Sequence, residues 1–213
     1  MSQPIDTLRR QDRFAKWAPH YENGEALSRL LCELQACAAA SLHLAAEDRL
    51  LDVGCGTGAA VRAASARVRL AVGLDSSPAM IQQAEARAAA FPRAAFIVAD
   101  AQELPFPPAA FSVVLCTTAL RHFTDATSAV TEILRVLAPA GRMVVGDFQV
   151  GPGKLRRRWW GNPPPATALP NWAGLRQAIS GTGGNVTELI RYGTALGPYV
   201  IVSAVKPEIQ LQR

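Results

Sequence analysis

Residues 50–59 read Leu50-Leu51-Asp52-Val53-Gly54-Cys55-Gly56-Thr57-Gly58-Ala59. An apolar run that carries an acid is followed by three alternating glycines, and an alanine-rich pattern of helical period begins behind them. This order predicts a strand, a tight turn and a helix. Glycine permits positive φ and lets a ligand approach the main chain where a Cβ would otherwise stand, and the first turn of a helix leaves N–H groups unpaired for an anionic group. The stretch therefore predicts a ligand-binding loop.

Two kinds of ligand compete for such a loop. Gly54, Gly56 and Ala59 also satisfy the loose fingerprint of dinucleotide-binding turns, so the glycine spacing alone does not decide between them. Asp52 does, because a carboxylate two residues before the first glycine repels a pyrophosphate lying on the same loop. It suits a ligand with ammonium and sulfonium groups, and S-adenosylmethionine is such a ligand.

The segment Asp52–Gly58 closely resembles the glycine-loop motif of the class I S-adenosylmethionine-dependent methyltransferases, and the resemblance extends over residues 12–205. It implies an α/β fold: a Rossmann-like, seven-stranded, mainly parallel sheet with one antiparallel strand and helices on both faces. It also implies that S-adenosylmethionine is the cofactor and S-adenosylhomocysteine the product. The cofactor-binding residues implied in the loop are Asp52, Gly54, Cys55, Gly56, Thr57 and Gly58.

A second acid stands at the end of the next predicted strand, residues 68–74. Asp75 follows the glycine loop by about 20 residues, the spacing at which a strand-end acid meets a ribose diol. The alternative is that Asp75, with Ser76 or Ser77, only caps the helix predicted over residues 78–90. Ser76 is assigned to the cofactor site with Asp75. Met80 either flanks the adenine or packs in the core.

The third predicted strand, residues 94–98, leads to Asp100 and Ala101. In the family that the chain resembles, an acid at this position accepts a hydrogen bond from the adenine amino group, and the next backbone N–H meets a ring nitrogen. The resemblance therefore assigns both residues to the cofactor. Residues 104–111 resemble the family's "L-P-F-x-x-x-x-F" connection into the fourth strand.

The fourth predicted strand, residues 111–116, brings Cys116 and Thr117 to the edge that faces the ligand crevice of open α/β sheets. Both are assigned to the cofactor site. His122 matches a position where many family members carry histidine. It is either a general base or a residue that positions the loop. Arg121 either meets an anionic acceptor or is solvated.

Residues 12–22 resemble the N-terminal "F-x-x-W-A-x-x-Y" stretch of small-molecule methyltransferases. The resemblance implies a lid over the cofactor and acceptor pocket, with Tyr21 as a second catalytic candidate beside His122. The alternative is that Phe14 and Trp17 simply pack against the domain. We divide the chain into an N-terminal segment (1–24), one methyltransferase domain (25–206) and a tail (207–213).

The remaining pattern predicts helices over residues 25–43, 125–137 and 172–180. It also predicts a closing antiparallel hairpin over residues 186–192 and 199–205. In residues 137–145, which resemble the family's turn into the fifth strand, Ala140 stands where glycine is usual. The four cysteines form no C-x-x-C pair, and the three histidines are not spaced with them as ligands. We expect buried reduced thiols and no metal.

Composition limits the class of protein. Of the 213 residues, 49% are hydrophobic and 18% charged, as in globular domains. No apolar run is long enough to span a bilayer, and the N-terminus does not have the pattern of a secretion signal, so we expect a cytoplasmic protein. The net charge of +5 is mild, and much of it lies in the basic stretch of residues 154–158.

These observations favour methyl transfer from S-adenosylmethionine to a small-molecule acceptor by in-line displacement. One alternative is an RNA or protein methyltransferase that uses the basic 154–158 loop. Another is a non-catalytic module that holds the cofactor. The expected partner is a small-molecule acceptor, nucleic acid is disfavoured, and the chain is a monomer or a homodimer.

Overall fold

A computed structural model describes residues 14–16, 18–22, 26–148, 172–181, 183–194 and 198–208. Seven strands lie in one sheet in the spatial order β3-β2-β1-β4-β5-β7-β6. Strands β1 to β5 are parallel to one another, and β7 is antiparallel to both of its neighbours, β5 and β6. This confirms the predicted fold class, including the single reversed strand and the closing hairpin. The strands are β1 (Arg49–Val53), β2 (Leu70–Asp75), β3 (Ala94–Val98), β4 (Phe111–Thr117), β5 (Leu137–Phe148), β6 (Asn185–Tyr192) and β7 (Tyr199–Val205).

Helices cover both faces of the sheet because its central strands are buried on both sides. On one face α1 (Ala26–Ala40), α2 (Ala59–Ser65) and α3 (Pro78–Arg87) pack against the even-numbered residues of β1. On the other, α4 (Ala126–Val136) and α5 (Trp172–Gly181) pack against its odd-numbered residues. The apolar runs of β1 and β4 are therefore core strands of a three-layer domain.

Several boundaries differ from the sequence expectations by one to three residues, among them the end of α1 at Ala40 rather than at residue 43, and hydrogen bonds explain two of these differences. Strand β2 begins at Leu70 rather than at residue 68, because the N–H groups of Arg69 and Leu70 both point to the carbonyl of Asp48, at 2.9 and 3.4 Å. Helix α3 ends at Arg87 rather than at residue 90, since the N–H of Ala88 already closes a tighter turn onto the carbonyl of Glu85, at 3.1 Å. Both differences reflect hydrogen bonds that hydrophobic periodicity does not report.

The turn into β5 contains a strained alanine. Phe111 pairs with Leu137 and Val113 pairs with Arg142, so residues 138–141 loop out of the register. Ala140 has φ +57° in this loop, a left-handed conformation that glycine adopts without a Cβ clash. It lies near the start of β5, whereas the glycine loop follows the end of β1, so the two turns lie at opposite ends of the parallel strands.

The thiols fit the expectation only in part. Cys55 and Cys116 are buried and free, whereas Cys37 is exposed. Burial raises the pKa of both buried thiols well above the ordinary value, so they stay protonated and pack as small apolar groups. In the part of the chain that the structure describes, no cluster of three His, Cys, Asp or Glu residues has the arrangement of a metal site. No helix among the described residues has the length and apolarity to cross a bilayer.

Candidate functional site

The glycine loop lies between β1 and α2, beside the point where the strand order reverses between β1 and β4. This is where open α/β sheets bind ligands. The N–H groups of Gly54 and Cys55 both donate to the carbonyl of Leu74, at 2.7 and 3.0 Å. Gly54, Gly56 and Gly58 all have positive φ, at 76°, 55° and 78°. The three glycines are therefore required by the backbone path itself.

The space beside each glycine separates two roles. A Cβ on Gly54 would overlap the side chain of Ala119, and one on Gly58 would lie 2.5 Å from the Phe96 ring. At Gly56, however, the nearest atom to a Cβ would be Tyr21 Cε1, at 3.9 Å. Gly54 and Gly58 are thus needed for packing, whereas a Cβ on Gly56 would make only an ordinary van der Waals contact with the ring of Tyr21.

Asp75 holds the loop from the β2 side. Its Oδ2 accepts from the N–H of Gly56 at 2.9 Å, and its Oδ1 accepts from the N–H of Ser77 at 2.9 Å. The helix cap itself is Ser77, whose hydroxyl accepts from the N–H of Met80 at 3.4 Å. Asp75 therefore links the open glycine to the start of α3. Its predicted contact with a ribose stays a prediction, as does a cofactor contact of the exposed Ser76.

Two carboxyl groups at neighbouring strand ends disfavour each other's charge. Asp52 on β1 is buried, and burial together with repulsion from Asp75 raises its pKa to about 7. Burial also raises the pKa of Asp75, while hydrogen bonds from the N–H groups of Ser77 and Gly56 lower it. The crevice beside the loop therefore favours a ligand with a positive charge and opposes a pyrophosphate.

The residues predicted to meet the adenine lie at the same edge of the sheet. Asp100 is exposed after β3, and its Oδ1 accepts from the N–H of Gln102 at 2.9 Å, which fixes the carboxylate. Ala101 is buried beside it. Met80 is also buried, as its core-packing alternative requires. The loop from residue 99 is tied to β2, because the N–H of Ala99 donates to the carbonyl of Asp75 at 3.1 Å.

The end of β4 carries Cys116 and Thr117, which the sequence assigns to the cofactor site, and leads to His122. Cys116 and Thr117 are buried at the strand end, and Thr118 behind them has φ +56°, which is rare for a β-branched residue. His122 ends a 3₁₀ turn (Leu120–His122) and is half-buried. Its ring meets Phe14 edge-on, with the ring centroids 5.2 Å apart. The N-terminal segment thus reaches the histidine that we single out as a base candidate.

Arg121 is buried rather than solvated, so that alternative from the sequence is wrong. Its side chain pairs with the fully buried Asp147 at the end of β5, and its N–H donates to Asp147 Oδ2 at 3.0 Å. The guanidinium carbon also lies 5.7 Å from the centroid of the Phe148 ring. Sequence reasoning missed Asp147, although an acid at the end of an otherwise apolar strand is the signal that identifies such a partner.

The N-terminal segment contacts the glycine loop directly. Tyr21 is half-buried and packs against the core on the α1 face. Thr57, predicted as a cofactor residue, donates its hydroxyl to Glu22, and its carbonyl accepts from Arg62 Nη1 at 2.6 Å, so both groups are bound within the protein. Glu22 is a residue that sequence reasoning missed. The basic stretch 154–158 and Trp17 lie outside the described residues.

Comparison with known proteins agrees with this geometry. Residues 51–145 match the family model described as a methyltransferase domain. Over these residues the chain is similar to methyltransferase domains. The match begins in β1 and ends in β5, so it covers the glycine loop, Asp75, Asp100 and His122. It agrees with the resemblance that the glycine loop carries.

The similar proteins cover different lengths of this chain. The 27-O-demethylrifamycin SV methyltransferase of Amycolatopsis mediterranei is 40% identical over 132 residues, 60% of this chain and 47% of the relative. A demethylmenaquinone methyltransferase of Deinococcus radiodurans is 33% identical over 168 residues, 75% of this chain and 62% of the relative. The chain thus spans 47% and 62% of the lengths of these two relatives, in each case less than two thirds.

A solved structure shows the same fold over nearly the whole chain. Magnesium protoporphyrin IX methyltransferase from Synechocystis PCC 6803, with bound S-adenosylhomocysteine, superposes with a TM-score of 0.76 and 18% identity. The similarity covers 94% of this chain and 99% of that one. At this identity the comparison speaks for the fold alone.

Proposed function

We propose that this protein transfers a methyl group from S-adenosylmethionine to a small-molecule acceptor by in-line displacement. The observation that carries the proposal is the uncrowded position of Gly56, where the nearest atom to a Cβ is Tyr21 Cε1 at 3.9 Å, together with the two acids Asp52 and Asp75. A sulfonium nucleoside with an ammonium group satisfies both features. A dinucleotide satisfies only the glycine spacing.

The chain's own residues divide the binding task. Gly56, whose N–H is held by Asp75, lets the methionine part of the cofactor approach the loop without a Cβ in the way, and the buried Asp52 supplies negative charge for its ammonium group. Asp75 is the candidate for the ribose hydroxyls, and Asp100 with Ala101 for the adenine. Bound S-adenosylmethionine supplies an activated methyl group on a good leaving group. The protein's part is then to align the acceptor and to exclude water.

The acceptor side is aromatic. Phe14 and Tyr21 from the N-terminal segment approach His122 and the glycine loop, respectively. An enclosed aromatic surface suits an organic small molecule better than a nucleic acid, which needs an open basic groove. The rifamycin and menaquinone substrates in the names of the two relatives support the same class. The 154–158 loop invoked for RNA or protein substrates lies outside the described residues.

The cofactor assignment is tested by calorimetry on Asp75→Ala. We expect the variant to weaken S-adenosylhomocysteine binding by about 1–3 kcal/mol, through loss of charged hydrogen bonds. Glu85→Ala, which removes an exposed carboxylate from α3, serves as the control and keeps full affinity. Unchanged affinity in Asp75→Ala would refute the ribose assignment, and binding of a nicotinamide dinucleotide in its place would refute the proposed function.

The role of His122 is tested separately, with a panel of metabolites and a labelled methyl donor to find the acceptor. If His122 is a general base, His122→Ala lowers turnover about 100-fold or more and keeps cofactor affinity. The loss should be greatest below the acceptor's own pKa. A near-normal rate reduces His122 to a positioning residue and leaves methyl transfer itself intact.

A further inference from the structure

Glu22 joins the N-terminal segment to the cofactor loop through several charged contacts. Its Oε1 accepts from the Thr57 hydroxyl, and its Oε2 accepts from Arg62 Nη2 at 2.9 Å. Arg87 Nε lies 3.8 Å from the same Oε2. One carboxylate therefore contacts the glycine loop, α2 and α3. Contacts of this kind are charge-assisted and stronger than neutral hydrogen bonds.

The cationic side of this cluster is held in place on its own. Arg62 Nη1 donates to the carbonyl of Thr57 at 2.6 Å, so the guanidinium is oriented by the loop as well as by Glu22. The side chains of Arg62 and Glu22 are only 14% and 24% exposed. By contrast, Arg69 and Glu47 lie 3.9 Å apart with side chains 71% and 88% exposed. That second pair is an ordinary surface contact that contributes little.

The position of Glu22 couples this cluster to the ligand space. Tyr21 directly precedes it, and Tyr21 Cε1 is the nearest atom to the open side of Gly56. Asp75 holds the N–H of Gly56 from the β2 side, while Glu22 holds the adjacent Thr57 through its hydroxyl. Asp75 and Glu22 thus hold the glycine loop from two sides, and Tyr21, which precedes Glu22, lies over Gly56.

We propose that Glu22 is a positioning residue that clamps Tyr21 over the glycine loop and so slows release of the bound nucleoside. The inference rests on the proposed function, because it takes the space beside Gly56 to be the cofactor site. Tyr21 also packs against the apolar core, and this packing by itself requires no charge at position 22. The clamp differs from such a simple lid because it depends on the charge of Glu22.

The clamp is tested with Glu22→Gln, which keeps the shape of the side chain and removes its charge. We expect the dissociation rate of S-adenosylhomocysteine, measured by stopped flow, to rise about tenfold, from the loss of charge-assisted contacts. The association rate changes less. Glu47→Gln is the matched control, since it removes the carboxylate of the exposed pair with Arg69. We expect it to leave both rates unchanged. Equal rates in the two variants would overturn the proposal.

A second measurement does not depend on ligand. Hydrogen exchange of the unliganded protein, followed in peptides over residues 14–22, should speed up in Glu22→Gln and not in Glu47→Gln. If the wild type binds no S-adenosylhomocysteine, the proposed function fails while the exchange experiment still tests the clamp. If methyl transfer to the acceptor becomes faster in Glu22→Gln while hydrogen exchange over residues 14–22 stays unchanged, Glu22 acts on the acceptor. The clamp proposal would then be wrong.

Arg62→Met supplies a double-mutant cycle. If Glu22 acts through Arg62, the double variant Glu22→Gln/Arg62→Met releases the nucleoside no faster than the more affected single variant. Fully additive effects on the dissociation rate would show that the two residues act separately, and the clamp as described would be wrong.

Discussion

Replacing Asp52 by asparagine should change how the stability of the unliganded protein depends on pH. Asp52 is buried in β1 with a pKa of about 7, raised by burial and by Asp75. In the unfolded chain the carboxyl group returns to its ordinary value of 3.8. A raised pKa in the folded state means that the unfolded state loses its proton first. Stability is therefore lost as pH rises from about 4 towards 7.

The size of the effect follows from these two values. The free energy of unfolding should fall by about 2–3 kcal/mol between pH 5 and pH 8 on account of Asp52 alone. Asp52→Asn removes the titration and with it this share of the pH dependence. The cost of burying the asparagine amide is the same at both pH values, so it cancels when the two are compared.

Urea unfolding at pH 5 and pH 8 measures the difference for each protein. Asp48→Asn is a suitable control, because Asp48 is also buried and burial would raise its pKa, yet hydrogen bonds from Ala45, Ser112 and Arg142 hold that pKa below the ordinary value. Its ionised form is therefore present at both pH values, and its removal leaves the difference unchanged. If Asp52→Asn shows the wild-type difference, the electrostatic argument for a cation-binding crevice is refuted.

Four further variants test separate features of the structure. Gly56→Ala should fold with a strain of about 1 kcal/mol and lose cofactor affinity in calorimetry. Gly58→Ala should instead lose stability, because its Cβ would lie 2.5 Å from Phe96. A greater loss of stability in Gly56→Ala than in Gly58→Ala would contradict the different roles of the two glycines. Ala140→Gly should raise the free energy of unfolding by about 0.5–1 kcal/mol, seen as a higher urea midpoint, because it relieves a left-handed alanine; a lower midpoint would contradict the strain. Lys206→Met should cost about 1–2 kcal/mol in urea unfolding, since Lys206 Nζ donates to two carbonyls at the end of α4, at 2.8 and 2.7 Å; an unchanged midpoint would show that these bonds add nothing.

The sequence alone determined the order of the elements and the position of the glycine loop. Alternating glycines after an apolar run dictate a turn with positive φ, and all three glycines adopt it. Strand and helix periods placed β1, β3 and the closing hairpin, because these signals are local and repeat along the chain. The acid at the end of β2 was also found from its spacing to the loop, although its hydrogen bond to Gly56 was not.

Only the tertiary structure decided which groups share the site and how they are charged. Arg121 and Asp147 are 26 positions apart, and Glu22 and Arg62 are 40 apart, so no local pattern joins them. The three glycines look alike in sequence, yet only Gly56 has room for a Cβ, since Ala119 and Phe96 fill the space beside the other two from distant strands and turns. The pKa of Asp52 likewise depends on burial by neighbouring strands. Contacts, solvent exclusion and charge coupling act through space, and the chain acquires them when the sheet brings its strand ends to one edge.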